Sequence, residues 1–181
     1  MDVQVEGEEP QRIVIGLFGD VAPTTVQNFV GLITDKEGAG YRGSSFYRVV
    51  SGLTVQGGDI PSSKGKQGRA ILPGGSYMPE NFDLRHSVAG LISMCHARDG
   101  KADSRFLIQT KADSGYLDGR YIAFGRVLEG MSVIYHMEEI GGVGPQNRPK
   151  QPVTIVDCGL LDQQQAPKLQ SSAETLVRNV W

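Results

Sequence analysis

Eight short apolar runs recur along the chain, each closed off by Gly, Pro, Asp or Ser: Asp2–Glu6, Arg12–Phe18, Phe46–Val50, Leu53–Gly57, Gly90–Cys95, Arg105–Gln109, Tyr121–Val127 and Val153–Leu160. Several of them alternate. Ile13, Ile15 and Leu17 share a face in the second run, and Phe106 and Ile108 oppose Arg105, Leu107 and Gln109 in the sixth. A period of two sends successive side chains to opposite faces, so these runs are strands with one face buried. Two segments carry the helical period instead. Pro23-Thr24-Thr25 opens a run with Val26, Phe29, Val30 and Ile33 at i, i+3, i+4 and i+7. Proline is tolerated in a first helical turn because its missing N–H would be unpaired there anyway. Met131–Glu139 is a shorter helix that packs through Val133, Ile134 and Met137. Eight strands must hide their edges, and closure hides all of them. The pattern therefore predicts an all-β fold with minor α: a closed eight-stranded antiparallel barrel capped by two helices.

Glycine supports many tight turns: the 24 glycines among 181 residues make about 13%, against a usual share of about 7%. Residues 1–161 fit one domain. Asp162–Trp181 changes character and stands as a C-terminal extension. Within it Ser171-Ser172-Ala173-Glu174 has capping-box spacing, and Leu176, Val177, Val180 and Trp181 would cluster on the short helix that follows. Such a helix must bury that cluster to persist, against the barrel or against a protein partner.

With 18 Lys+Arg against 20 Asp+Glu, the net charge of -2 removes the cationic footprint of a nucleic-acid binder. The densest basic stretch, Lys64, Lys66 and Arg69, lies among Ser, Gly and Gln and is a solvated loop. The longest apolar run, Val88–Cys95, is far short of a membrane span. The acidic start, MDVQVEGEEP, fits neither a signal nor a transit peptide. These features suit a soluble intracellular protein, in the cytoplasm or in an organelle such as a plastid or mitochondrion after removal of a targeting segment. Cys95 and Cys158 cannot build a disulfide framework; one bridge or two buried thiols are open.

Gly38-Ala39-Gly40-Tyr41-Arg42-Gly43 matches G-x-G-x-x-G, but a helix precedes it and a strand follows. A dinucleotide site needs the reverse order, so this is a turn. His86, His96 and His136 have no metal-ligand spacing, and Cys95 and His96, being adjacent in a strand, point to opposite faces. No metal or cofactor is expected, and no G-x-S-x-G elbow supports a hydrolase nucleophile. What remains is a polar set inside apolar strands: Arg48, Gln56 and Arg105. They are either the wet faces of barrel strands or the donors of a shallow groove that grips a peptide backbone.

The chain resembles the cyclophilins, a family of peptidyl-prolyl isomerases. FYRVVSGLTVQGGDI (Phe46–Ile60), VAGLISM (Val88–Met94), LDGRYIAFGRVLEGM (Leu117–Met131) and GLFGDVAPTTVQNF (Gly16–Phe29) carry the likeness, in order, across about residues 2–161. The resemblance implies isomerisation of Xaa-Pro bonds in protein substrates, with Arg48 as the catalytic arginine and Gln56 beside it. It also implies departures. Leu53 and Thr54 stand where Phe and Met are usual, and Leu107 replaces a second Phe. Leu117 matches. Arg105 stands for a substrate-binding Gln, Cys95-His96 for an Ala-Asn pair whose backbone meets the peptide, Tyr116 for a Trp and Tyr121 for a His. Arg105 adds a second cation near Arg48, so the two repel unless one turns to solvent or pairs with a carboxylate. The expectation is a weak isomerase with a preference altered toward acidic residues beside the proline, binding proline-containing segments and little or no cyclosporin. The alternative is a catalytically poor binding or assembly module, a subunit of a larger complex.

Overall fold

The computed structural model describes residues 1–35, 38–60 and 68–162. Its strands are β1 (Asp2–Val5), β2 (Gln11–Arg12), β3 (Val14–Leu17), β4 (Arg48–Val50), β5 (Thr54–Gly57), β6 (Leu91–His96), β7 (Ala102–Gln109), β8 (Ile122–Glu129), β9 (Gly142–Val143), β10 (Arg148–Pro149) and β11 (Val153–Asp157). The helices are α1 (Pro23–Thr34) and α2 (Met131–Ile140). Six strands form one antiparallel sheet in the order β3-β8-β6-β7-β5-β4, and three form a second, β11-β1-β2.

Two chain segments join these sheets into a ring. On one side β2 and β3 are halves of a single run broken at Ile13, whose N–H bonds the Met1 carbonyl at 2.8 Å. β2 pairs with β1, and β3 pairs with β8. On the other side, residues 44–47 bridge β11 to β5. The Phe46 N–H reaches the Val153 carbonyl, the Ile155 N–H reaches the Ser44 carbonyl, and the Tyr47 N–H reaches the Gln56 carbonyl, each at 2.9 Å. The eight strands expected from alternation thus run around the barrel, with the expected second and third runs split or extended by these bridging residues.

Inside, Phe106 is the hub. Its ring centroid lies 5.6 Å from Phe29, 5.3 Å from Tyr41 and 5.8 Å from Phe46, each pair near perpendicular. Edge-to-face contact aligns the positive rim of one ring with the negative face of another. The glycine pair ending β5 lets this cluster close. A Cβ at Gly57 would stand 3.1 Å from both Phe46 and Phe106, and one at Gly58 would stand 2.4 Å from the Ser104 carbonyl oxygen, at φ +85°. At Gly58 only glycine serves.

The structure corrects several expectations. The buried face of α1 is Thr25, Asn28, Phe29, Leu32 and Ile33, while Val26 and Val30 lie at its margin. Asn28 turns that face inward: its amide donates to the Asp103 carbonyl (3.0 Å) and accepts from the Ile71 N–H (2.9 Å). A polar residue with both bonds satisfied buries as well as an apolar one. β7 begins three residues early, at Ala102, and β6 ends at His96. The ribbon β9–β10 has no precedent in the alternation because each strand is only two residues long. Both cysteines are free thiols, Cys95 buried and Cys158 half-buried. The Gly38–Gly43 segment is a turn between α1 and the barrel, as its order in the chain predicts. Lys64, Lys66 and the extension from Gln163 onward lie outside the described residues. Among the described residues, no helix is long and apolar enough to cross a membrane.

Candidate active site

The six-stranded sheet has two faces. Val49, Val55, Phe106, Ile108, Ile92 and Met94 point into the core. Residues between them point outward, and there the pairing registers align them in rows. Arg48 faces Gln56 across β4–β5, Gln56 faces Leu107 across β5–β7, and Leu107 faces Ser93 across β6–β7. Directly paired residues share a face, so Arg48, Gln56 and Leu107 rise side by side.

Over Leu107 sits a second apolar cluster, separate from the core: Cys95, Leu107 and Leu117, with Tyr121 packed against it. Leu117 comes from the short turn Gly115–Leu117 that precedes β8. Leu107 and Leu117 are only 1% and 3% exposed, so the cluster is nearly shut. His96 stacks on Tyr121 with ring centroids 5.0 Å apart and planes 28° from parallel. Cys95 and His96 therefore both end beside Tyr121, although neighbours in a regular strand point apart. The β6–β7 pairing is irregular between Met94 and His96, and this re-aims the pair.

Arg48 reaches this cluster electrostatically. Its charge acts on both the Cys95 thiol and the Tyr121 hydroxyl. Burial nevertheless pushes the Cys95 thiol up to about 12, so it is neither a thiolate nor a nucleophile near neutral pH. Burial likewise raises the hydroxyls of Tyr47 and Tyr121, which remain protonated donors.

The two arginines differ in one decisive respect. Arg105 forks onto Asp103, with Nε at 3.1 Å from each carboxylate oxygen and Nη2 at 2.6 Å from Oδ2. This pair, with Asp103 almost fully buried, holds the guanidinium charged and raises its pKa further. Among the described residues, Arg48 forms no ion pair. Of the two resolutions open to a second cation near Arg48, the fold takes the carboxylate.

The remaining candidates surround this centre. The Gln56 amide donates to Thr54 Oγ1 and accepts from the Tyr47 hydroxyl, both at 3.4 Å, long bonds that hold it loosely. Thr54 is buried and faces Gln109 across β5–β7. Leu53 is half-buried in the turn before β5, held by the Thr110 N–H on its carbonyl at 3.0 Å. Tyr116 does not join the cluster; it is 47% exposed on the turn beside it. Among the described residues, no group of three or more His, Cys, Asp or Glu could hold a metal.

The model of the cyclophilin type peptidyl-prolyl cis-trans isomerase/CLD family matches residues 1–160. The chain belongs to the cyclophilins. As a cyclophilin it has the fold, mostly β with two helices, and the enzyme class of a peptidyl-prolyl cis-trans isomerase that binds proline-containing peptides. Sequence reasoning missed the hydrogen-bonded residues next to this face. Asp103 lies only two positions from Arg105 on β7, a spacing that puts both on one strand face and was available to be read. His86, Ser93 and Asp118, all of which hydrogen-bond in a chain, gave no signal, because their spacing of 7 and 32 residues means nothing until the barrel folds.

Proposed function

We propose that this cyclophilin isomerises Xaa-Pro bonds slowly, with Arg48 as the catalytic donor and the Leu107–Leu117 cluster as the seat of the proline ring. One observation carries the reading: beside that cluster, Arg48 has no ion-pair partner among the described residues, whereas Arg105 is committed to Asp103. Amide resonance opposes rotation about the prolyl bond with a barrier of about 20 kcal/mol. In the twisted state the nitrogen becomes pyramidal and recovers its lone pair. A donor aimed at it stabilises that state more than either planar one, and this differential lowers the barrier. A guanidinium is rigid, always charged and rich in donors, so it needs no reorganisation at the moment of rotation. Cys95, His96, Arg105 and Gln56 would line the peptide's path, and the Tyr121 hydroxyl would support a carbonyl.

Two features argue for slow turnover. Leucines offer a proline less flat contact than aromatic rings, and Thr54 is buried in place of an apolar floor. The nearly closed cluster must also open to admit the ring. The Arg105–Asp103 pair neutralises the cation that would favour acidic flanks, so preference follows shape more than charge. A protease-coupled assay on Xaa-Pro peptides tests the proposal. Arg48→Ala is expected to lower kcat/KM at least roughly tenfold, the equivalent of one charge-assisted hydrogen bond. Equal kinetics in the two proteins would remove Arg48 from catalysis. Peptide binding without any acceleration would assign the protein to the binding or assembly class.

The C-terminal extension is a second element of the proposal, resting on its capping box and apolar cluster. From the sequence alone we propose that its apolar residues serve as a docking segment, and Trp181, the chain's single tryptophan, is the reporter. Blue-shifted emission is expected; solvent-exposed emission, alone and with every co-purifying protein bound, would end that reading.

A further inference from the structure

Behind the site lies an arrangement that hydrolases use for chemistry. The Asp118 carboxylate accepts from His86 Nδ1 at 2.8 Å, and His86 Nε2 meets Ser93 Oγ at 2.8 Å. A serine, a histidine and an aspartate in this order make a nucleophilic triad when the serine is accessible. Here Ser93 is 0% exposed and His86 1%. No acyl group can reach the hydroxyl, so another role must explain a fully satisfied polar chain in an apolar barrel wall.

Its connections supply that role. Asp118 follows Leu117 in the chain, and the same carboxylate oxygen also accepts the His86 backbone N–H at 2.8 Å. The ring thereby grips the segment that carries one wall of the cluster. At its other nitrogen it meets Ser93, which pairs directly with Leu107, the opposite wall, and shares its face. Two further bonds fix the His86 carbonyl: the Gln109 side-chain amide at 3.0 Å, two residues beyond Leu107, and the Ser114 N–H at 2.9 Å, three residues before Leu117.

We propose that His86 is a positioning residue: the chain Asp118–His86–Ser93 sets the spacing between Leu117 and Leu107, and with it the shape of the proline seat. The inference rests on the assignment of that seat above. A carboxylate only accepts, so Nδ1 carries the hydrogen and Nε2 accepts from the Ser93 hydroxyl. The neutral ring is then satisfied at both nitrogens. Burial lowers its pKa by more than Asp118 raises it, which keeps it neutral through the working range. Asp118 is the charged group acting on the ring; Arg85, Lys111 and Asp113 on the adjoining segments are exposed, and Ser93, Ser114 and Gln109 are neutral. A second proton on the ring would aim an N–H at Ser93 and reverse the last link.

The test uses the full chain and two mild variants, Ser93→Ala and Asp118→Asn. An amide oxygen at 118 still accepts both His86 donors, but without the carboxylate's charge its bond to Nδ1–H is weaker. Imidazole nitrogen NMR is expected to show the Nδ1–H form in the wild type and a weakened Nδ1–H bond in Asp118→Asn. Methyl signals of Leu107 and Leu117 are expected to move in both variants. KM for an Xaa-Pro peptide is expected to rise three- to tenfold with a smaller change in kcat, and the double variant is expected to lose no more than the worse single one. Lowered Tm with unchanged KM and unmoved methyl signals would mean a structural brace only and would overturn the proposal. Should a variant fail to fold, acid titration of the wild type decides. Ring protonation must move both leucine methyl signals at the same midpoint, and indifference of those signals overturns the idea. Failure of the isomerase reading is distinguishable, since it would appear in the Arg48→Ala assay while the methyl response persisted.

Discussion

At the scale of single residues, the proposed site turns on which polar groups are already paired among the described residues. Arg48 and Arg105 are chemically identical, yet Asp103 consumes one of them. The same logic governs Tyr116. At 47% exposure it contributes a phenol on the rim of the site and little buried area. We propose that Tyr116 stands where the cyclophilin resemblance implies the tryptophan whose indole N–H holds cyclosporin. A phenol cannot place its donor where an indole does, and leucine walls pack the drug less well. Calorimetry is expected to show weak or no binding. Tyr116→Trp alone is expected to restore only part of the affinity, and full restoration would mean that the walls matter little.

Among the elements, α1 shows how a helix is completed from elsewhere in the chain. Ala22 precedes it without a capping side chain. The Glu80 carboxylate supplies the cap, accepting the Thr24 N–H at 3.0 Å and the Thr25 N–H at 2.8 Å. Burial pushes the Glu80 carboxyl up, but the bonds from Thr24 and Thr25 outweigh it and hold the net pKa below the ordinary value. An anion at a helix N-terminus satisfies unpaired donors and meets the positive end of the dipole. Glu80→Ala is expected to cost about 1 kcal/mol, or roughly 2–4 °C in Tm for a chain of this size. The sign with pH follows from the depressed pKa. Glu80's contribution is complete above the unfolded value near ~4.3 and is lost as pH falls through the folded one. Wild type and variant should therefore converge in stability below about pH 4; a constant gap in denaturation midpoint would contradict the assignment.

For the molecule as a whole, stability concentrates at the Phe106 hub, where α1, the turn at Tyr41, the bridging segment at Phe46 and strand β7 meet. Phe106 is fully buried, and the glycines around it leave backbone that cannot collapse into a void. Phe106→Ala is expected to cost roughly 3–5 kcal/mol, measured by denaturant unfolding. A loss under ~1 kcal/mol would mean that the barrel relaxes around the gap. Leu107, the next residue, serves the other face, so β7 carries the core on one side and the site on the other.

Alternation is a local property, and the chain's own residues were enough to set the eight barrel strands, both helices and the outward direction of Arg48, Gln56 and Leu107, since neighbouring side chains on a strand must part. Motifs in the same strands were enough to indicate the family. The extra length of β7 and the ribbon β9–β10 were not legible, because two-residue strands and polar strand starts exist only through their partners. Nor was the turn of α1 toward Asn28, whose burial depends on carbonyl and amide groups 75 and 43 residues away. The commitment of Arg105 to Asp103, the paired placement of Cys95 and His96 beside Tyr121, and the link from Asp118 through His86 to Ser93 were decided by the tertiary structure. Each requires a hydrogen-bond partner or a register shift, and a buried polar group's fate is fixed by what the fold brings to it.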